Sequence, residues 1–224
     1  MPHLLHLDSS ADPERSRSRA ITATFAAVWR GHGPDHTITY RDLHRDPLPH
    51  LADAALHWPP RLRPEGAAPP AAAQARQQEL LAELTAADVL LIGAPLYNYS
   101  LPSSLKAWID HIHVPGVTAP FDVPTQPLAG RPAVIVTSQG ASYDAGSPTE
   151  GWDHAVPVLD LILGTSLGMT LTVITTSLTL AETVPALADQ VGRSRAELAR
   201  AHELAAETAN RLATASPATP ATPS

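Results

Sequence analysis

Hydroxyls, aromatic rings and small residues gather in three short stretches of this 224-residue chain. The first, Asp8-Ser9-Ser10-Ala11-Asp12-Pro13-Glu14-Arg15-Ser16-Arg17-Ser18, runs into a segment of helical periodicity. Amides at a helix start lack intrahelical acceptors and sit at the positive end of the helix dipole, which favours an anion. Ser10, Ser16, Ser18 and the Arg17 amide can complete such a cradle. The stretch has no G-x-G-x-x-G, so the dinucleotide pattern is absent, and a serine-rich loop suits a terminal monophosphate instead. Ser16 acting only as an N-cap, with the other residues forming a turn, accounts for the same composition.

The second stretch, Ala94-Pro95-Leu96-Tyr97-Asn98-Tyr99-Ser100-Leu101-Pro102, follows the most apolar run of the chain. Exposing Leu96, Tyr97 and Tyr99 is costly unless something flat packs on them, and Asn98 with nearby amides can then read the polar edge of a ring system. A loop that covers a sheet edge or a subunit interface would use the same residues. The third stretch, Thr137-Ser138-Gln139-Gly140-Ala141-Ser142-Tyr143, offers small residues that let backbone approach a ligand closely.

Several other chemistries lack their residues. The chain has no cysteine, which removes disulfides, thiolate catalysis, iron–sulfur clusters and zinc ribbons, so redox chemistry must come from a bound cofactor. Lys106, the only lysine, is not preceded by glycine, and the phosphate-binding G-x-x-x-x-G-K loop is absent. Of eleven histidines, His111 and His113 lie two apart on a helix and point to different faces, and no H-E-x-x-H occurs, so no metal site is expected. Without G-x-S-x-G, Ser138 and Ser142 read as loop residues rather than hydrolase nucleophiles. A formal charge of −7 argues against nucleic acid as partner. No run approaches the roughly 18 apolar residues of a membrane span, and Met1 to Asp8 carries no basic leader, so a cytoplasmic location is expected.

The elements that must position these stretches follow from periodicity. Apolar runs predict strands at His3–Asp8, Thr37–Leu43, Asp88–Ala94, Pro132–Ser138 and Met169–Thr176. Helices are predicted after the first loop, with Ile21, Phe25 and Val28 on one face, and over Ala71–Ala86, Ser103–His113, Trp152–Ser166 and Ser194–Leu212, the last capped by Ser194. Arg45–Pro70 reads as a long surface loop or lid, and Gly116–Gly130 as an irregular crossover. Strands alternating with helices demand a parallel sheet covered on both faces: an α/β, doubly wound, five-stranded sheet of order 2-1-3-4-5. The expected domain is residues 1–213, followed by a disordered Pro, Ala and Thr tail over 214–224. In such a fold a ligand sits beyond the carboxyl ends of the strands, where the loops after the first, third and fourth strands meet.

Taken at their order and spacing, these motifs resemble the FMN-dependent NADH-azoreductases, a flavodoxin-like family that also acts as quinone reductases. The resemblance rests on Ser-Ser followed by Ser-x-Ser at the first helix, on Ala94 through Asp110, and on Val134-Ile135-Val136-Thr137-Ser138-x-Gly140, and it covers about residues 3 to 212. It implies that Ser10, Ser16, Arg17 and Ser18 hold the FMN phosphate and that Leu96, Tyr97, Asn98 and Tyr99 contact the isoalloxazine. Ser138, Gln139, Gly140 and Ala141 would line the other edge, Phe121 would help to cover the flavin, and Tyr143 begins the loop framing the substrate side. It also implies a ping-pong cycle in which NADH or NADPH gives a hydride to flavin N5 before a small-molecule electron acceptor takes its place. No side chain need act as a catalytic acid. A homodimer is implied as well, its second subunit completing the cleft. The chain departs from the family where many members have Arg-Gly-Gly and this one has Gln139-Gly140-Ala141, which removes a positive charge beside the flavin and leaves the acceptor open. A flavin reductase serving a separate oxygenase, or a tailoring reductase for one metabolite, would carry the same motifs.

Overall fold

A computed structural model describes residues 1–215. Five strands form one parallel sheet: β1 (His3–Asp8), β2 (Thr37–Asp42), β3 (Val89–Gly93), β4 (Pro132–Ser138) and β5 (Thr170–Thr176). Their spatial order is β2-β1-β3-β4-β5, as the alternation of elements predicts. The three central strands are almost wholly buried because apolar residues occupy both of their faces, the mark of a parallel sheet sandwiched between helices.

Helices α1 (Arg17–Gly31) and α5 (Val191–Thr214) cover one face, where Ile21, Phe25, Trp29, Ala201, Ala205 and Ala209 pack on Leu4, Leu91 and Val134. Helices α2 (Ala71–Ala86), α3 (Ser103–Ile112) and the short α4 (Ala155–Leu159) cover the other, where Leu105, Trp108, Ile109 and Ile112 meet Leu5, Leu7, Leu90 and Ile92. The i, i+3, i+4, i+7 stripe of α3 is therefore its sheet-facing side. No helix among the described residues is long and apolar enough to cross a membrane.

The 45–70 segment is the long surface loop expected, and it is anchored: it holds 3-10 turns at Ala54–His57 and Pro60–Leu62, the first capped by Asp53, and buries Leu48, Ala55 and Leu56. Three expectations need correction. Helix starts at Ala155 rather than Trp152, because Gly151 takes a positive φ of 79° and Asp153 accepts from the amides of Ala155 and Val156. Past Leu159 it continues as a π-helix over Asp160–Ser166. Finally, α5 begins at Val191, after a 3-10 turn, so Ser194 lies inside it as a buried tie that donates to the Leu178 carbonyl at 2.8 Å. The same helix runs to Thr214, one residue past the expected domain end, and the rest of the expected tail, 216–224, lies outside the described residues.

Candidate functional site

Because all five strands run the same way, the loops after β1, β3, β4 and β5 open on one edge of the sheet. A cleft of about 540 Å³ lies there, lined by Ser10, Ser16, Arg17, Leu96, Tyr97, Ser138 and Gly140 among others. That size falls within the usual range for small-molecule sites.

The loop after β1 is fixed from beneath and from within. Ser9 Oγ donates to the Gly93 carbonyl at 2.7 Å, and Ser10 Oγ accepts from the Asp12 amide at 3.2 Å. Asp12 accepts in turn from the amides of Glu14 and Arg15 at 3.0 and 2.9 Å, which holds its carboxyl below the usual range. Ser16 caps α1 by accepting from the Arg19 amide at 3.4 Å, so the N-cap reading of the sequence is correct. The amides of Arg17 and Ser18 lie in the first turn, without intrahelical acceptors. Capping and an anion cradle are thus compatible uses of one loop.

The Arg17 guanidinium extends along the cleft to the carbonyls of Ser177 and Ser194, at 3.3 and 3.4 Å. Burial lowers its pKa, while Glu182 and Glu197 act in the opposite sense. Ser18 is fully buried, its hydroxyl 3.0 Å from that of Ser16, and it does not line the cleft. Its contribution is therefore confined to its amide and to holding Ser16.

The loop after β3 doubles back in a two-residue turn, with Tyr97 and Ser100 exchanging amide–carbonyl bonds of 3.0 Å. Its central residues, Asn98 and Tyr99, have φ of 48° and 67°. Asparagine tolerates this left-handed region, whereas a tyrosine there stores strain of order 1 kcal/mol or more. The turn throws both side chains outward, beyond the cleft lining. Tyr97 reaches across to the first loop, where its hydroxyl lies 3.1 Å from Ser10 Oγ and accepts from the Ala11 amide at 3.0 Å.

The loop after β4 is stitched to both neighbours: the Leu96 amide donates to the Ser138 carbonyl at 2.9 Å and the Thr179 amide to the Gln139 carbonyl at 3.0 Å. The Gln139 side chain turns away from the cleft, donating to Asp153 at 2.8 Å and accepting from Ser177 at 3.4 Å. Only Ser138 and Gly140 of the 138–141 segment line the cleft. A Cβ on Gly140 would lie 3.1 Å from Leu180 Cδ1, so the glycine permits close approach of the loop after β5.

Phe121 and Tyr143 stand outside the lining. Phe121 is 64% exposed, with its ring 5.2 Å from that of Trp58. Arg61 clasps the two segments together with a fork onto Asp122 at 2.8 and 2.9 Å. Tyr143 is half-buried, and burial raises its pKa. His111 and His113 turn to separate partners, the Pro49 carbonyl and Ser166 Oγ.

Sequence reasoning missed Asp12, Arg15, Thr179, Leu180 and Thr183, which also line the cleft. The topology offered the signal for the last three, since β5 ends on the same edge as β1, β3 and β4.

An open parallel sheet of this order, with a cleft at the ends of β1 and β3, defines a flavodoxin-like protein, and a family model described as "Flavodoxin-like fold" matches residues 2–205. A protein of Kineococcus radiotolerans named FMN-dependent NADH:quinone oxidoreductase is 61% identical over 209 residues, covering 92% of this chain and 99% of its own. One of the same name from Streptomyces avermitilis is 40% identical, covering 95% and 98%. A solved azoreductase of Bacillus anthracis shares the fold at a TM-score of 0.78 and 20% identity, over 94% of this chain and 100% of that one. The chain belongs to the flavodoxin-like family and, within it, to the group of FMN-dependent NADH:quinone oxidoreductases.

Proposed function

We propose that the protein is an FMN-dependent NADH:quinone oxidoreductase that also accepts azo-type acceptors. The observation that carries this reading is the meeting of a capped, serine-lined helix start with the Leu96–Tyr97 loop and the Ser138–Gly140 loop in one cleft. The names of the 61% and 40% identical relatives support it.

The residues fit the cofactor. Ser10 and Ser16 hydroxyls and the amides of Arg17 and Ser18 would hold the phosphate, with the Arg17 side chain adding positive charge beside it. Leu96 and Tyr97 would form the wall along the flavin, Ser138 and Gly140 its opposite side, and Asn98, Tyr99, Phe121 and Tyr143 the outer rim. The chemistry supplied when FMN is held there would be hydride and electron transfer between NADH and the acceptor, the two sharing the cleft in turn in a ping-pong cycle. The chain's part is to bind, orient and shield, and no side chain is assigned as a proton donor. The reading includes a homodimer, in which Phe121, Trp152 and Leu161, all exposed around the cleft or on the nearby helix, are covered by a second copy. The reading also includes a cytoplasmic location, where NADH is at hand.

The test is to incubate the purified protein with FMN, desalt it, and record the visible spectrum before and after anaerobic NADH and then benzoquinone. Retained flavin bands that bleach with NADH and return with the quinone are expected. A colourless desalted protein would overturn the reading.

A further inference from the structure

Beneath the first loop lies a polar network that none of the sequence motifs predicts. The register of the sheet sets Asp8, the last residue of β1, level with Asp42 on β2 and Gly93 on β3. Arg19, in the first turn of α1, bridges this level to the loop. Its guanidinium forms a fork on Asp42, with both bonds at 2.7 Å, and lies 3.8 Å from Asp8. Two further bonds, from Nε at 3.2 Å and Nη2 at 2.7 Å, go to the carbonyl of Ser10. Asp8 accepts from Thr22 at 2.9 Å and from the Tyr40 hydroxyl at 3.1 Å, and His6 Nε2 lies 3.3 Å from it. The side chains of Arg19, Asp8 and Asp42 are at most 11% exposed, and none of them lines the cleft.

The direction of the Ser10 carbonyl decides what the loop presents. Turned toward the cleft, that oxygen would repel a phosphate. Held inward by two bonds from a cation, it leaves Ser10 Oγ beside Tyr97 at the cleft wall. The planar fork is needed because one group must satisfy a carboxylate and a carbonyl together, which a point-charge ammonium cannot do with the same geometry.

We propose that Arg19 is the positioning residue of the phosphate loop, and that through the Ser10 carbonyl it sets the preference of the cleft for a phosphorylated over an unphosphorylated flavin. The inference rests on the FMN reading above. Its direct bonds are confined to the phosphate end, because Leu96, Tyr97 and the 138–140 loop receive none from Arg19.

The experiment measures dissociation constants for FMN and riboflavin, by flavin fluorescence quenching, in the wild-type chain and in Arg19→Met, Arg19→Lys and Asp42→Asn. Loss of hydrogen bonds from a charged group predicts that the FMN-over-riboflavin preference falls about tenfold in Arg19→Met while riboflavin affinity holds. Arg19→Lys, which keeps the charge without the fork, falls between wild type and Arg19→Met. Asp42→Asn slackens the fork from the far side and gives a smaller loss of the same sign, which keeps the test decisive should Arg19→Met not fold. A purely structural role predicts that both flavins weaken alike, and an unchanged preference in the folded variants would overturn the inference. A wild-type chain without preference for FMN overturns the FMN reading as well, so the two failures are distinguishable.

Discussion

At the β1-loop end of the cleft, Ser9, Ser10 and Ser18 are buried and each hydroxyl has a partner within the chain, whereas at the outer rim Tyr99, Trp152 and Phe121 are about half exposed or more and meet chiefly other rings. Tyr99 packs edge-on to Trp152 with centroids 5.4 Å apart, and Phe121 leans on Trp58. Buried hydrogen bonds with defined partners admit one arrangement, while exposed rings repack at little cost. The difference teaches that one end is fixed by its own bonds, as the proposed phosphate site requires, while the rim is free to rearrange, as the proposed contacts with varied acceptors or a second copy require.

The largest effect is expected where the rigid end has no room. A Cβ on Gly93 would clash with Asp8 Oδ1, part of a carboxylate already held by Thr22 and Tyr40. Gly93→Ala should therefore cost about 2 kcal/mol of folding stability by overpacking, read by denaturant unfolding. An unchanged midpoint would show that the end is less rigid than described. Tyr97→Phe sharpens the comparison without adding bulk. It removes the acceptor of the Ala11 amide and the neighbour of Ser10 Oγ, and FMN affinity should drop about fivefold, the value of one hydrogen bond.

Acid probes the same end more gently. Burial would raise the Asp42 carboxyl, but the Arg19 fork and the amides of Arg45 and His44 overcome it and hold it at about 2, below the usual 3.8. A depressed carboxyl stabilises the fold fully above its unfolded value, and that contribution is lost as pH falls through the folded one. The stability gap between wild type and Asp42→Asn should accordingly narrow from pH 3.8 toward pH 2, and a gap constant over that window would remove Asp42 from the network. The smallest effect on folding belongs to the rim. Phe121→Ala should raise the KM for quinone about threefold while stability stays within about 0.5 kcal/mol, as for other exposed positions. A matching loss of stability would mean that the rim is as fixed as the loop.

Much of this was legible in the sequence for physical reasons. Apolar runs such as Val89 to Ile92 have one plausible place, inside a parallel sheet, and the α3 stripe has one face to bury. The serine-rich loop and Tyr97 could be placed because strand order puts their loops on one edge. What escaped depends on contacts distant in the chain. Arg19 looks like any exposed helical arginine until Asp42 is brought beside it, and Gln139 looks like a cleft residue until Asp153 and Ser177 take its amide. The π-helix over Asp160–Ser166 has no local composition that distinguishes it from an α-helix, and Ser194 is as good a cap as Ser16 by type alone.

In the proposed reading, the β1 loop and the start of α1 hold the phosphate of FMN while the β3 and β4 loops flank its ring. A crystal structure of the protein grown with FMN tests it most directly. Phosphate oxygens are expected within hydrogen-bond distance of Ser16 Oγ and the amides of Arg17 and Ser18, with the ring against Leu96 and Tyr97. A phosphate bound elsewhere, or a ring seated away from the β3 loop, would contradict it.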